Sequence, residues 1–125
     1  MVALYRKEII ERYRFPRHRG EIENADLQGE VMNNLCGDEI TLFVKFDVEK
    51  EKVAEVKFSG EGCALMTASA DILCSALLGK NKKDLAKFSE RDLMSWYGEK
   101  PTPARTRCVL LPLEALRSGF KMMSF

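Results

Sequence analysis

Two runs of alternating apolar and polar side chains, separated by a short polar connection, constrain the fold of this chain more than any other feature. From Ile40 to Asp47, Ile40, Leu42, Val44 and Phe46 fall on one face and Thr41, Lys45 and Asp47 on the other, with Phe43 interrupting the polar face. From Val53 to Ser59 the alternation resumes, with Ala54, Val56 and Phe58 inward and Glu55 and Lys57 outward. A period of two on both sides of the polar stretch Asp47 to Lys52 predicts an antiparallel hairpin. Gln28 to Asn33 offers a weaker third strand. A sheet with one apolar face must bury it against another layer, and the remaining apolar segments read as helices. The expected fold class is α+β: a three-stranded antiparallel sheet with helices packed on one face.

The helices can be placed from periodicity and punctuation. Leu4 to Arg14 can present Leu4, Ile9, Ile10 and Tyr13 on a broad apolar face, with Arg6, Lys7, Glu8, Glu11 and Arg12 largely outside it. Pro16 and Gly20 then break the chain, and Arg17 to Asp26 reads as a surface loop. After Gly60-Glu-Gly62, the segment Cys63 to Leu78 is rich in Ala, Leu and Met, lacks proline and stops at Gly79, an αL cap. Lys80 to Trp96 holds one or two short helices, with Ser89 and Asp92 marking an N-terminus. Pro101 and Pro103 predict an extended loop. The last helix carries Leu113, Leu116 and Phe120 and is expected to begin near Cys108 to Leu111, with Pro112 in its first turn. No repeat interrupts this order, and 125 residues suit one domain, 1–125.

Composition narrows the chemistry. Twenty Lys and Arg against nineteen Asp and Glu leave a net charge of +1, without the basic excess of a dedicated nucleic-acid binder. No apolar run approaches the roughly 20 residues of a membrane helix, so no membrane association is expected. The start, Met1-Val-Ala-Leu-Tyr-Arg-Lys, turns charged too soon for a secretory signal, and a cytoplasmic chain is expected. In a reducing compartment the four cysteines are thiols or metal ligands rather than disulfides. His18 is the only imidazole, which excludes a site built from several histidines.

Three of the cysteines stand at the ends of elements. Cys36 lies between two strands in Asn33-Asn-Leu-Cys-Gly-Asp38, Cys63 at a strand-to-helix junction, and Cys108 at the expected start of the last helix. A helix N-terminus is expected to favour the thiolate at both Cys63 and Cys108, and Arg105 and Arg107 add cationic charge near Cys108. Cys36, Cys63, Cys108 and Asp38 form a four-ligand set that suits tetrahedral Zn²⁺ or an iron–sulfur cluster. The spacings of 27 and 45 residues match no short metal motif, and taken alone they favour thiols buried as small hydrophobes over a convergent site.

Cys36-Gly-Asp38, Gly60-Glu-Gly-Cys63-Ala-Leu-Met-Thr-Ala-Ser69-Ala and Pro103-Ala-Arg-Thr-Arg-Cys108 together resemble the IscU/SufU/NifU-N-terminal family of iron–sulfur cluster assembly scaffolds. The run Tyr5-Arg-Lys-Glu-Ile-Ile-Glu-Arg-Tyr13-Arg-Phe-Pro16-Arg17 resembles the family's opening helix and its Asn-Pro-Arg motif, with Phe15 in place of Asn. The resemblance implies a scaffold rather than an enzyme, one that assembles a [2Fe–2S] cluster and passes it on. It implies Cys36, Cys63 and Cys108 as ligands, Cys108 as persulfide acceptor, and Asp38 as the family aspartate, tied to cluster lability and able to ligate. Implied partners are a cysteine desulfurase, recipient apo-proteins, and an iron or electron donor; a homodimer is also compatible with it.

Two departures matter. IscU-type members carry His before the third cysteine, where this chain has Arg107; guanidinium is a very poor ligand, which leaves Asp38 as the fourth. Gly-Glu-Gly-Cys and Pro-Ala-Arg are SufU-like, yet the 45-residue spacing leaves no room for the SufU insertion. The alternative implied is therefore a SufU-like, zinc-dependent sulfur relay. Lys100-Pro-Thr-Pro-Ala replaces the Leu-Pro-Pro-Val-Lys peptide, so a dedicated Hsp70 chaperone is not an expected partner. Of the remaining residues, Cys74 is expected to pack in the core, about three helical turns and ~16 Å from Cys63. His18 is expected in a solvated loop. Tyr5 matches a family tyrosine, with packing near the start of the first helix as the simpler role. Met122, Met123 and Phe125 end the chain with apolar side chains.

Overall fold

The computed structural model describes residues 2–33, 37–97 and 102–122. In chain order these form α1 (Val2–Arg14), β1 (Leu27–Asn33), β2 (Asp38–Phe46), β3 (Val53–Ser59), α2 (Ala64–Leu77), α3 (Lys82–Ala86), α4 (Glu90–Tyr97) and α5 (Pro103–Met122). The strands pair antiparallel in the order β1-β2-β3, the expected meander. Leu27, Ile40, Leu42, Val44, Val56 and Phe58 share the buried face, with Asn33 and Asp38 paired at one end of it.

The register shifts between Lys45 and Phe46, which pair with Glu55 and Val53. Ala54 is the extra residue of this bulge and is exposed, while Val53 is buried. The expected inward placement of Ala54 is therefore corrected: an extra residue reverses the alternation on its own side. Phe43 is buried on the opposite face.

α5 lies along β1, and α2 packs against α5 and β3. The α5–β1 approach is backbone to backbone, since a Cβ on Gly29 would stand 1.8 Å from the Ala115 carbonyl oxygen. Glycine inside a strand often marks such a close approach.

α2 runs as expected, with Cys63 as its N-cap, Leu78 as its C-cap and Gly79 at φ 83°. Ser89 and Asp92 form a reciprocal cap at α4: the Asp92 N–H donates to Ser89 Oγ, and the Ser89 N–H to Asp92 Oδ2.

Two helix expectations are corrected. α5 begins at Pro103 rather than near Cys108, and Pro112 lies inside it. Pro103 fits the first turn, where no N–H is required, and the Thr106 N–H donates to the Thr102 carbonyl. Two prolines could each have opened the helix; buried packing of Val109, Leu111, Leu113 and Leu116 carries it through the second. In α1, Ile10 and Tyr13 are half-exposed, and Arg12 turns inward instead, with its side chain 13% exposed.

The segment 17–26 is pinned rather than loose. His18 and Gly20 bond to Phe58 along the outer edge of β3, and Ile22 is buried. His18 is not solvated as expected. Its N–H donates to Asp71 Oδ1 at 2.9 Å, and its Nε2 lies 3.0 Å from Ser75 Oγ. Partial burial pulls its pKa below the usual 6.5, with Arg12 and Arg17 adding to the effect against the opposing charge of Asp71.

Candidate metal centre

Asp38 opens β2 on the core face and is 3% exposed. Its Oδ1 accepts the Cys63 N–H at 3.2 Å. Its Oδ2 is buried with no hydrogen-bond partner among the described residues. A buried carboxylate oxygen left unsatisfied costs free energy, and a bound cation relieves that cost.

Cys63 reaches this carboxylate because of the Gly60-Glu-Gly62 junction. Gly60 holds φ 122°, and a Cβ there would stand 2.2 Å from the Glu39 carbonyl oxygen. The Glu39 N–H donates to the Glu61 carbonyl, and the Arg19 guanidinium to the Gly60 carbonyl, so the turn is tied on both sides. A Cβ on Gly62 would meet Met66 Cε at 2.4 Å and the Asp38 carboxyl at 3.1 Å. Absence of that atom makes room for the carboxylate.

The two described thiols of the centre differ in environment. Cys63 is exposed and caps α2, its sulfur accepting the Met66 N–H at 3.4 Å. Cys108 is the sixth residue of α5 and 7% exposed. Burial, then the neighbouring Cys63 and Asp38, push its pKa up to about 12. The expectation of a thiolate-favouring helix start at Cys108 is thus corrected, because α5 starts five residues earlier and the thiol is buried. Arg105 and Arg107 are exposed.

One ligand atom from each of Asp38, Cys63 and Cys108 lies within 4.8 Å of the others. Two sulfurs and a carboxylate oxygen suit a thiophilic divalent ion such as Zn²⁺ or Fe²⁺, and the unpaired Asp38 Oδ2 fits that use. Cys36 lies outside the described residues. Cys74 is buried on α2 and joins the core as expected, its pKa raised well above 9.0 by burial.

Sequence reasoning missed Gly62 and Asp71. The signal for Gly62 was a glycine immediately before a candidate ligand. For Asp71 it was a lone carboxylate in the otherwise uncharged run Ala64–Leu77. The Arg12 guanidinium bonds Asp71 Oδ2 at 2.9 Å and Ser75 Oγ at 2.7 Å, joining α1 to α2.

The chain is similar to known proteins over almost its whole length. The model of the NifU-like N terminal domain matches residues 4–124. The zinc-dependent sulfurtransferase SufU of Bacillus subtilis is 31% identical, over 94% of this chain and 89% of that protein. The iron–sulfur cluster assembly scaffold protein IscU of Thermotoga maritima is 28% identical, over 97% and 95%. A crystal structure described as an iron–sulfur cluster assembly scaffold protein for the SUF system, from Fervidobacterium islandicum, superposes with a TM-score of 0.74. It is 32% identical and covers 89% of this chain and 92% of that one.

Proposed function

Because the chain belongs to the NifU-like N-terminal domain family of iron–sulfur cluster scaffolds, we propose that it assembles a [2Fe–2S] cluster and hands it to recipient apo-proteins. The observation that carries this reading is the convergence of Asp38, Cys63 and Cys108 around a carboxylate oxygen with no hydrogen-bond partner among the described residues. Cys36 completes the proposed set of four, two residues before Asp38 in the chain. Iron and sulfide are the cargo, and the working unit is the single domain 1–125, in a reducing cytoplasm where thiols stay free.

Cys108 is the proposed sulfur acceptor. Its thiolate attacks the terminal sulfur of a desulfurase persulfide; a new S–S bond forms at Cys108, the donor's S–S bond breaks, and the desulfurase leaves as a thiolate. Burial keeps Cys108 protonated at neutral pH, so an arriving cation or partner must displace its proton before it reacts. Two ferrous ions and two such sulfurs need two further electrons to become the cluster, and an external electron donor supplies them. Exposed Cys63 forms the open rim from which the cluster departs.

The identity to a zinc-dependent sulfurtransferase favours a second reading, in which Zn²⁺ resides in the same donor set and Cys108 only relays sulfur. Zinc there would supply a Lewis acid that lowers thiol pKa values. Anaerobic reconstitution with a desulfurase, cysteine, iron and reductant separates the two. About two irons and two acid-labile sulfides per cluster, lost in Cys63→Ser and Cys108→Ser, support the scaffold. One retained zinc, no sulfide and faster desulfurase turnover support the relay.

A further inference from the structure

We propose that Ser69 is a positioning residue for Cys108, acting through a hydrogen bond from its buried hydroxyl to the Val109 carbonyl. The proposal deepens the reading of Asp38, Cys63 and Cys108 as one site and rests on it for its metal-binding test. Pro112 stands inside α5 and has no N–H. The helix therefore lacks the donor that residue 112 would give to the carbonyl of Cys108, four residues back, and the proline ring crowds that same carbonyl. The gap in the helical ladder falls on the turn that bears the thiol.

The next carbonyl along is held from outside the helix. Ser69, 3% exposed, donates from Oγ to the Val109 oxygen at 2.5 Å. A serine inside a helix ordinarily returns its hydroxyl to a carbonyl three or four residues back. Ser69 crosses to the neighbouring helix instead. α2 is also the helix that Cys63 caps. One hydroxyl thus joins the helix that begins at Cys63 to the turn that carries Cys108. The apolar contacts between α2 and α5 hold the helices together without direction. This bond has direction, and two sulfurs in one coordination sphere must be placed to within about 0.5 Å.

The test uses Ser69→Ala, Pro112→Ala and the double variant of the full chain. Co²⁺ alone serves as the spectroscopic probe, and Zn²⁺ affinity is measured by competition with a chromophoric chelator. The rate of Cys108 alkylation by iodoacetamide in metal-free protein is read by mass spectrometry, with buried Cys74 as an internal control. Ser69→Ala should weaken Zn²⁺ about tenfold, the scale of one hydrogen bond. It should also reduce the sulfur-to-cobalt charge-transfer band and speed Cys108 alkylation, with Cys74 still protected. Pro112→Ala returns an N–H to the ladder and should restore most of these losses in the double variant.

Wild-type affinity, spectrum and alkylation in Ser69→Ala would overturn the proposal. So would losses that Pro112→Ala leaves unrelieved, or alkylation of Cys74 alongside Cys108, since the hydroxyl would then hold the core and not the thiol. If the wild-type protein binds neither ion, the shared-site reading fails, and the alkylation rates with their rescue decide the role of Ser69 by themselves.

Discussion

Two aspartates are buried in this protein, and the protein treats them in opposite ways. Asp71 on α2 is 0% exposed and has both oxygens paired: Oδ2 takes the Arg12 guanidinium, Oδ1 takes the His18 N–H, and Ser75 links Arg12 to the His18 ring. Asp38 on β2 is nearly as buried, yet Oδ1 has one N–H and Oδ2 none among the described residues. A carboxylate with both oxygens paired by its own chain is a structural tie. One left half-filled beside two thiols is a place for a cation. Burial alone does not separate them; the count of donors does.

Four substitutions test the contrast between the two carboxylates. Asp71→Ala leaves the largely buried Arg12 only the half-exposed Glu8 as counter-ion, takes the acceptor from the His18 N–H, and should cost about 3 kcal/mol in chemical denaturation. Zinc stoichiometry in its remaining folded fraction should be unchanged, and a loss of zinc sites there would show that the two aspartates act as one. Asp38→Ala should do the reverse: metal-free stability within about 1 kcal/mol of wild type, because an unsatisfied oxygen is removed, with Zn²⁺ affinity down about a hundredfold or more in chelator competition.

Gly62→Ala places a methyl against Met66 Cε, which can swing away, and against the Asp38 carboxyl, which cannot retreat without losing the Cys63 N–H. Calorimetric titration should find Zn²⁺ about tenfold weaker, with thermal stability little changed. The smallest effect is in pH. His18 has a depressed pKa in the fold, so the unfolded chain takes up the proton first. Its contribution is full above about 6.5 and is lost as pH falls from there through the folded pKa. Denaturation midpoints measured between pH 7.5 and 5 should decline in wild type and decline less in His18→Gln.

The meander, α2 and the cap of α4 were legible because their signals are local. Period-two alternation marks a strand wherever it lies, and Ser89 and Asp92 cap a helix across three residues of chain. Where the local signal was ambiguous it failed: Pro103 and Pro112 both fit a helix start, and the period-two pattern of Val53–Ser59 carries no mark of the bulge that turns Ala54 outward and Val53 inward.

By itself the sequence determined the order of the strands, the face of β2 that meets the helices, and the residue types from which a metal centre could be built. Only the tertiary structure decided which of those residues meet. Asp38, Cys63 and Cys108 stand on three elements, and no spacing along the chain encodes their approach to within 4.8 Å. Nor did the sequence place Arg12 inward or draw His18 partly out of solvent; a buried carboxylate on α2 did both. The physical reason is the same in each case. Backbone conformation follows from neighbours in the chain, whereas the satisfaction of a buried charge depends on whatever the fold brings within hydrogen-bonding distance.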